Sequence, residues 1–441
     1  MAESKLEKGI GLDLTEGKVP GLILRFFVPF LFANLLNSLY NTVDTIIIGQ
    51  FIGAAGIISA STAGRIMQLF TYVAVALASG GQTVLSQIIG AKKLEEVNET
   101  VGTMLSEMLI LAVIFGAASA VLSRNIIAWL NTPSESFEDA VAYLLITSCG
   151  LPLIFGYNAI SSILRGMGDS KKPLLFIGIS TVINAVGDVV LVGICGLGVM
   201  GAAIATVGAQ GVAFICSVVI LYIQKDRFGF DFKLKSFAIK WDKLKLMLKI
   251  GLPMALREVM LMSTKLIVTG YINLYDPAEV AAYNICDKFY SLSNIFAFST
   301  KQAAGTMVAQ NIGAGKNDRV KLIVRDTLIM NMFACAVLCA AAFIIPKPIF
   351  GIFTSDASVL ACAPLYMMVE CITFFFSGFG GPYDAVVVGT GNAGLGFLSG
   401  MIDGVILRLG LGLLLGLGLN MGAIGFFMGD GLARRDHRQS F

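Results

Sequence analysis

Asp44 and Asp188 are carboxylates placed where an apolar chain tolerates few charges. Each lies about one helical turn before the end of an apolar run, near Ile48 and Gly193. Asn184 precedes Asp188 by four residues, so on a helix the two side chains share a face. Thr206 falls at matching depth in the following run, and Asn158 lies deeper in the preceding one. Two acids with amide and hydroxyl groups around them can share one proton, or hold one hard cation through oxygen. Asp44, Asn184 and Asp188 are therefore a candidate Na+ site as well as a candidate proton site.

A second set of ionisable residues lies further on. Arg257, Glu258, Lys265 and Asp384 form a candidate cleft in the second half of the chain, with Lys301 near it. Ionisable groups inside apolar spans are expensive and mark function by default. Arg257 and Glu258 are sequence neighbours and cannot face each other on one helix, so each needs a partner elsewhere.

Other chemistries are excluded by what the sequence lacks. The only histidine is His437, which removes histidine metal sites and histidine proton relays. The eight cysteines form no C-x-x-C pair and read as small packing residues. Ile312-Gly-Ala-Gly-Lys316 lacks the phosphate-loop spacing, so no nucleotide is expected. No clustered acids or Ser/His set points to an enzyme. No cofactor is expected beyond a coupling ion, and a net charge of +3 gives no basis for nucleic-acid binding.

The elements that hold these residues are membrane spans. The chain has 441 residues, of which 56% are hydrophobic and 14% charged, against about 25% charged in soluble domains. Apolar runs fall at roughly 22–48, 57–90, 101–123, 140–164, 173–193, 197–223, 246–273, 281–310, 320–345, 358–388, 395–419 and 421–433. The last is short for a hydrocarbon core of about 30 Å. The first 20 residues are polar and no cleavable signal peptide is visible. Alternate loops carry 20 Lys and Arg residues on one side and 2 on the other, which places the N-terminus inside.

The chain also repeats itself. Gln87-Ile-Ile-Gly-Ala-Lys-Lys-Leu-Glu-Glu-Val97 returns 223 positions later as Gln310-Asn-Ile-Gly-Ala-Gly-Lys-Asn-Asp-Arg-Val320, with six of eleven residues identical. Gly166 and Gly168 return as Gly389 and Gly391, Pro29 as Pro253, and Met200-Gly-Ala as Met421-Gly-Ala at an offset of 221. The expected architecture is all-α and polytopic. It has a tail at 1–20, a first six-span lobe at 21–223, a basic linker at 224–245, a second six-span lobe at 246–433 and a polar tail at 434–441. Both lobes start inside, which makes them parallel repeats. The latter part of the linker reads as an amphipathic basic helix at an anionic lipid surface.

Leu39-Tyr-Asn-Thr-Val-Asp44-Thr-Ile-Ile-Ile-Gly49, Gln87 to Lys92, Leu164-Arg-Gly-Met-Gly-Asp-Ser170 and Gln310 to Lys316, in this order, resemble the multidrug and toxic compound extrusion (MATE) family, in its bacterial DinF-like branch. The resemblance implies twelve helices in two lobes. It also implies export of organic, mostly cationic, compounds in exchange for H+ or Na+ by a monomer in the bacterial inner membrane. The family's coupling residues match Asp44, Asn158, Asn184, Asp188 and Thr206, and its helix-bending proline matches Pro29. The runner-up function is a flippase for a lipid-linked or polyprenyl-phosphate substrate, for which Arg65, Arg257, Lys265 and Lys301 would supply a cationic cleft.

Overall fold

The computed structural model describes residues 11–433; the outermost tails, with His437, lie outside the described residues. Helices dominate the described residues. They are α1 (Val19–Phe51), α2 (Ala54–Gly90), α3 (Val97–Trp129), α4 (Ser134–Cys149), α5 (Leu151–Gly166), α6 (Lys171–Asp188), α7 (Gly198–Ile223), α8 (Trp241–Ile272), α9 (Pro277–Gly313), α10 (Asn317–Ile344), α11 (Pro346–Gly351), α12 (Ala357–Thr390), α13 (Ala393–Met401) and α14 (Ala423–Leu432). Eight of the continuous helices, two of them counted with their π extensions, are long and apolar enough to cross a membrane. The pair α4 and α5 forms one further span, bent by 48° at Gly150. Pro152 lies in the first turn of α5, where its missing N–H removes no helical bond. With α8, α9 and the short α14 this gives twelve segments, six in each half.

Local signals explain several boundaries. Asp276 caps α9 by accepting from Ala278 N at 2.8 Å, with Pro277 at the first helical position. Asp356 caps α12 by accepting from Ser358 N at 2.8 Å. The latter part of the linker is helical as expected, but Trp241 to Lys249 are the opening turns of α8 and not a separate helix, and a short 3-10 turn, Leu234–Phe237, precedes them.

The repeat is carried by backbone geometry as well as sequence. Lys92 and Gly315 are both left-handed (φ 58° and 69°), and so are Gly168 and Gly391 (φ 83° and 74°). Near the end of each half, Cys195 and Leu197 donate to Val190 and Leu191 at 2.8 and 3.0 Å. Leu419 and Met421 donate to Leu414 and Leu415 at 2.8 and 3.1 Å, an offset of 224. Gly196 and Gly198 are left-handed there, as are Asn420 and Gly422. This register corrects the Met200/Met421 match: Gly198, not Gly201, is the counterpart of Gly422. In both halves the segment is a π turn, Val189–Ile194 after α6 and Leu414–Gly418 after α13.

The described chain divides into two compact units. One comprises the residues up to Glu16 with Val28–Ala255; the other comprises Gly17–Phe27 with the residues from Leu256 onward. The divisions fall beside Pro29 in α1 and Pro253 in α8. Within the first unit, α2 and α8 cross at glycine: a Cβ on Gly80 would lie 2.5 Å from Met247 O, and one on Gly251 would lie 2.9 Å from Leu77 Cα. Within the second, α14 rests on the π segments Ile402–Leu411 and Leu414–Gly418 in the same way. A Cβ on Gly429 would lie 2.4 Å from Gly412 N, and one on Gly425 would lie 2.7 Å from Gly416 N. The ten residues of α14 rise about 15 Å, half of a hydrocarbon core.

Candidate functional site

In the first unit α1 supplies Asp44 and, one turn earlier, Tyr40. α6 supplies Asn184 and Asp188, α7 supplies Thr206, and α4 supplies Tyr143. Asn184 and Asp188 are fully buried, Tyr40 and Tyr143 are nearly so, and Asp44 and Thr206 are half-buried. Asp188 is the last α-helical residue before the chain opens into the π turn Val189–Ile194, a distortion that concentrates at functional sites.

Asp44 and Asp188 are close enough for their carboxyl groups to interact electrostatically. Two ionised carboxylates carry acceptors only. Two buried acids that interact in this way favour a proton or a cation shared between them. No N–H or O–H among the described residues donates to either oxygen of Asp188 or to Oδ1 of Asp44. Both polar atoms of the Asn184 amide are buried and likewise unpartnered among these residues. Tyr40, Tyr143 and Thr206 interact electrostatically with one another and with the acids, and neither Tyr40 Oη nor Thr206 Oγ1 makes a hydrogen bond among the described residues. The site is oxygen-rich and largely buried, which suits a small cation.

Not every sequence candidate joins it. Asn158 donates Nδ2 to Ile154 O at 2.8 Å within its own helix and makes no hydrogen bond to either acid. Tyr40 and Tyr143 are the additions. Tyr40 precedes Asp44 by four residues, a helical-face signal present in the sequence; nothing local marks Tyr143.

The second unit sorts its charges into pairs. Arg257 Nη1 donates to Asp384 Oδ2 at 3.0 Å, and Lys301 Nζ lies 3.2 Å from the same oxygen. Lys265 donates to Asp287 Oδ1 at 2.6 Å, away from that cluster. Glu258 is half-buried and acts on Arg257 electrostatically. The four residues of the candidate cleft are thus split between two ion-pair groups. Arg65 is exposed. A further pair was not anticipated from sequence: Arg408 Nε meets Asp430 Oδ1 at 2.7 Å, both side chains buried, while Arg408 Nη1 donates to Leu261 O at 3.0 Å.

Comparison with known proteins places this arrangement. The sequence model of the MatE family matches twice, at residues 29–190 and 253–414, and each match begins at one of the two repeat-related prolines. The chain belongs to the MatE family. A probable multidrug resistance protein of Bacillus subtilis, YoeA, is 28% identical over 359 residues, covering 80% of this chain and 77% of its own. A probable multidrug resistance protein of Thermotoga maritima, NorM, is 27% identical, covering 84% and 80%. A solved multidrug resistance MATE family transporter in an outward-facing conformation superposes with a TM-score of 0.88 at 19% identity, covering 96% of this chain and 95% of that one. The MATE fold of twelve segments in two six-segment halves is therefore the fold of this multi-pass membrane transporter.

Proposed function

We propose that the chain is a secondary antiporter that exports organic, mostly cationic, compounds in exchange for H+ or Na+. The observation that carries this reading is a pair of interacting acids, Asp44 and Asp188, with no donor among the described residues on either oxygen of Asp188 or on Oδ1 of Asp44. With a cation or proton shared, the two helices α1 and α6 are held together at that level. Without it, two buried negative charges repel, and the packing of α1 must change. Pro29 removes a backbone bond in α1 and lets the helix bend as it does so. Alternating access follows if the two packings expose the substrate to opposite sides. One charge moving down 100 mV releases about 2.3 kcal/mol, enough for one ion to drive substantial accumulation.

The names of the multidrug resistance relatives support organic drugs or toxins as the cargo class. The loop-charge asymmetry supports a cytoplasmic N-terminus in a bacterial inner membrane. A lipid-phosphate flippase is less well supported, because three of the four cations it would use are already held by Asp384 and Asp287. The test is efflux of a fluorescent organic cation from proteoliposomes with pH and Na+ gradients imposed separately. One gradient should drive efflux, and Asp44→Asn and Asp188→Asn should each abolish it while insertion and folding persist. Undiminished cation-driven efflux in both variants would overturn the reading.

A further inference from the structure

Within the second unit, Cys339 on α10 and Cys371 on α12 reach across one helix seam to each other's backbone. Cys339 Sγ donates to Cys371 O at 3.4 Å, and Cys371 Sγ donates to Cys339 O at 3.6 Å. The two helices run antiparallel here. Cys335, one turn before Cys339, lies against Gly378, where an added Cβ would fall 2.9 Å from its Sγ. Asn331, a further turn back, lies against Gly381, where an added Cβ would fall 2.9 Å from its Nδ2. These glycines of α12 let the two backbones approach closely. All eight cysteines are free, and among the described residues no other two are joined by a hydrogen bond.

The seam suits a reversible cross-link. A disulfide needs Cβ atoms about 3.5–4.5 Å apart, which neighbouring helices reach only where two side chains meet head-on. Both acceptor carbonyls lie inside helices and already accept from the backbone N–H four residues on. Turning the sulfurs toward each other therefore gives up only two weak S–H bonds. Both residues are half-buried at the margin of the apolar cluster that holds Met367 and Phe374, whereas Cys286 and Cys335 are buried within it. Cys339 is five residues, about 7.5 Å, from the end of α10 at Ile344. In the orientation proposed above that end faces outward, the side on which disulfides persist.

We infer that Cys339 and Cys371 are a redox pair, closed by hydrogen peroxide to a disulfide that ties α10 to α12. One thiolate attacks a peroxide oxygen; the O–O bond breaks, leaving a sulfenic acid and, after proton uptake, water. The second thiolate attacks the sulfenic sulfur; the S–O bond breaks, the S–S bond forms, and the departing hydroxide takes up a proton as a second water. Two electrons pass from the sulfurs to the peroxide, and a thiol reductant returns them. The pair closes whichever ion drives transport.

The test uses the full purified chain, exposed to hydrogen peroxide and then unfolded and alkylated, so that buried and exposed thiols label alike. Oxidation of the exposed Cys149 and Cys195 shows that the oxidant has acted. Peptide mass spectrometry should find Cys339 and Cys371 losing label together and joined as one peptide pair, which dithiothreitol returns to two labelled peptides. In Cys339→Ser, whose hydroxyl can still donate to Cys371 O, Cys371 should stay unlinked. Full labelling of Cys339 and Cys371 after peroxide would overturn the inference. So would oxidation of either to a sulfinic acid without a link, or a link from either to Cys286 or Cys335.

Discussion

Arg257 Nη1 donates to Asp384 Oδ2 at 3.0 Å across α8 and α12, and that same oxygen holds Lys301 Nζ at 3.2 Å. One carboxylate thus bridges two cations, with Arg257 and Asp384 almost wholly buried. Removing one partner of a buried pair leaves an uncompensated charge, which destabilises by about 3–5 kcal/mol. Asp384→Asn should lower the melting temperature of the purified protein sharply. Lys301→Met should do so less, because Arg257 still satisfies the acid. Equal melting temperatures for Asp384→Asn and the unsubstituted protein would show that the pair with Asp384 does not stabilise the fold.

The linker between the halves should respond to acid. Asp231 accepts from Ser236 Oγ at 2.5 Å and from Lys233 N at 3.1 Å, and these bonds hold its carboxyl down at about 2, below its ordinary 3.8. Glu96 is likewise lowered, chiefly by its hydrogen bond from Lys243. For a lowered carboxylate the stabilisation is complete above the unfolded value and disappears as pH falls through the folded one. Docking of residues 228–240 should therefore be constant from about pH 5 to about pH 8 and weaken only below about pH 4. Protease sensitivity of the linker against pH is the measurement; a loss of protection near neutrality would contradict it.

Gly102 is the point where that linker meets α3. A Cβ there would fall 1.7 Å from Ser236 O, beside the bonds from Ser106 Oγ to Phe237 O at 2.6 Å and from Lys240 N to Thr103 Oγ1 at 3.1 Å. Gly102→Ala should lift the linker off α3, with a loss of about 1–3 kcal/mol. Hydrogen exchange should rise at residues 230–240 and stay unchanged in α6. Exchange that rises equally in both would mean that the whole unit, not the linker contact, had loosened.

The short α14 depends on bare glycine surfaces. Gly429→Ala would press a methyl onto Gly412 N, 2.4 Å away, and should separate the buried Arg408 and Asp430. The expected outcome is a protein of lower thermal stability. If Gly429→Ala melts with the unsubstituted chain, α14 has room to move and the tight crossing is not needed.

The acids of the candidate site were legible because a charge in an apolar run is conspicuous, and because Asn184 and Asp188 share a helical face. Tyr143 was not, since a tyrosine in a span reads equally well as packing or as an interfacial anchor until α4 is seen to lie beside α7. The bend at Gly150 was legible in Pro152, a proline inside the apolar run 140–164, although the run itself gave no sign that the helix breaks just before it. Arg408 and Asp430 were hard to pair because the π segments upset the 3.6-residue periodicity on which face assignments depend. The repeat was legible in the Gln87 and Gln310 segments, whereas the Met-Gly-Ala identity was three residues out of register.

The left-handed turns at Lys92 and Gly315 show that the same bend survives when one copy holds glycine and the other lysine. After duplication, then, the halves have kept a common scaffold while their ionisable side chains have drifted apart. Such a molecule can be retuned one copy at a time: a change of ionisable side chain in one half requires no new turn, crossing or loop in the other.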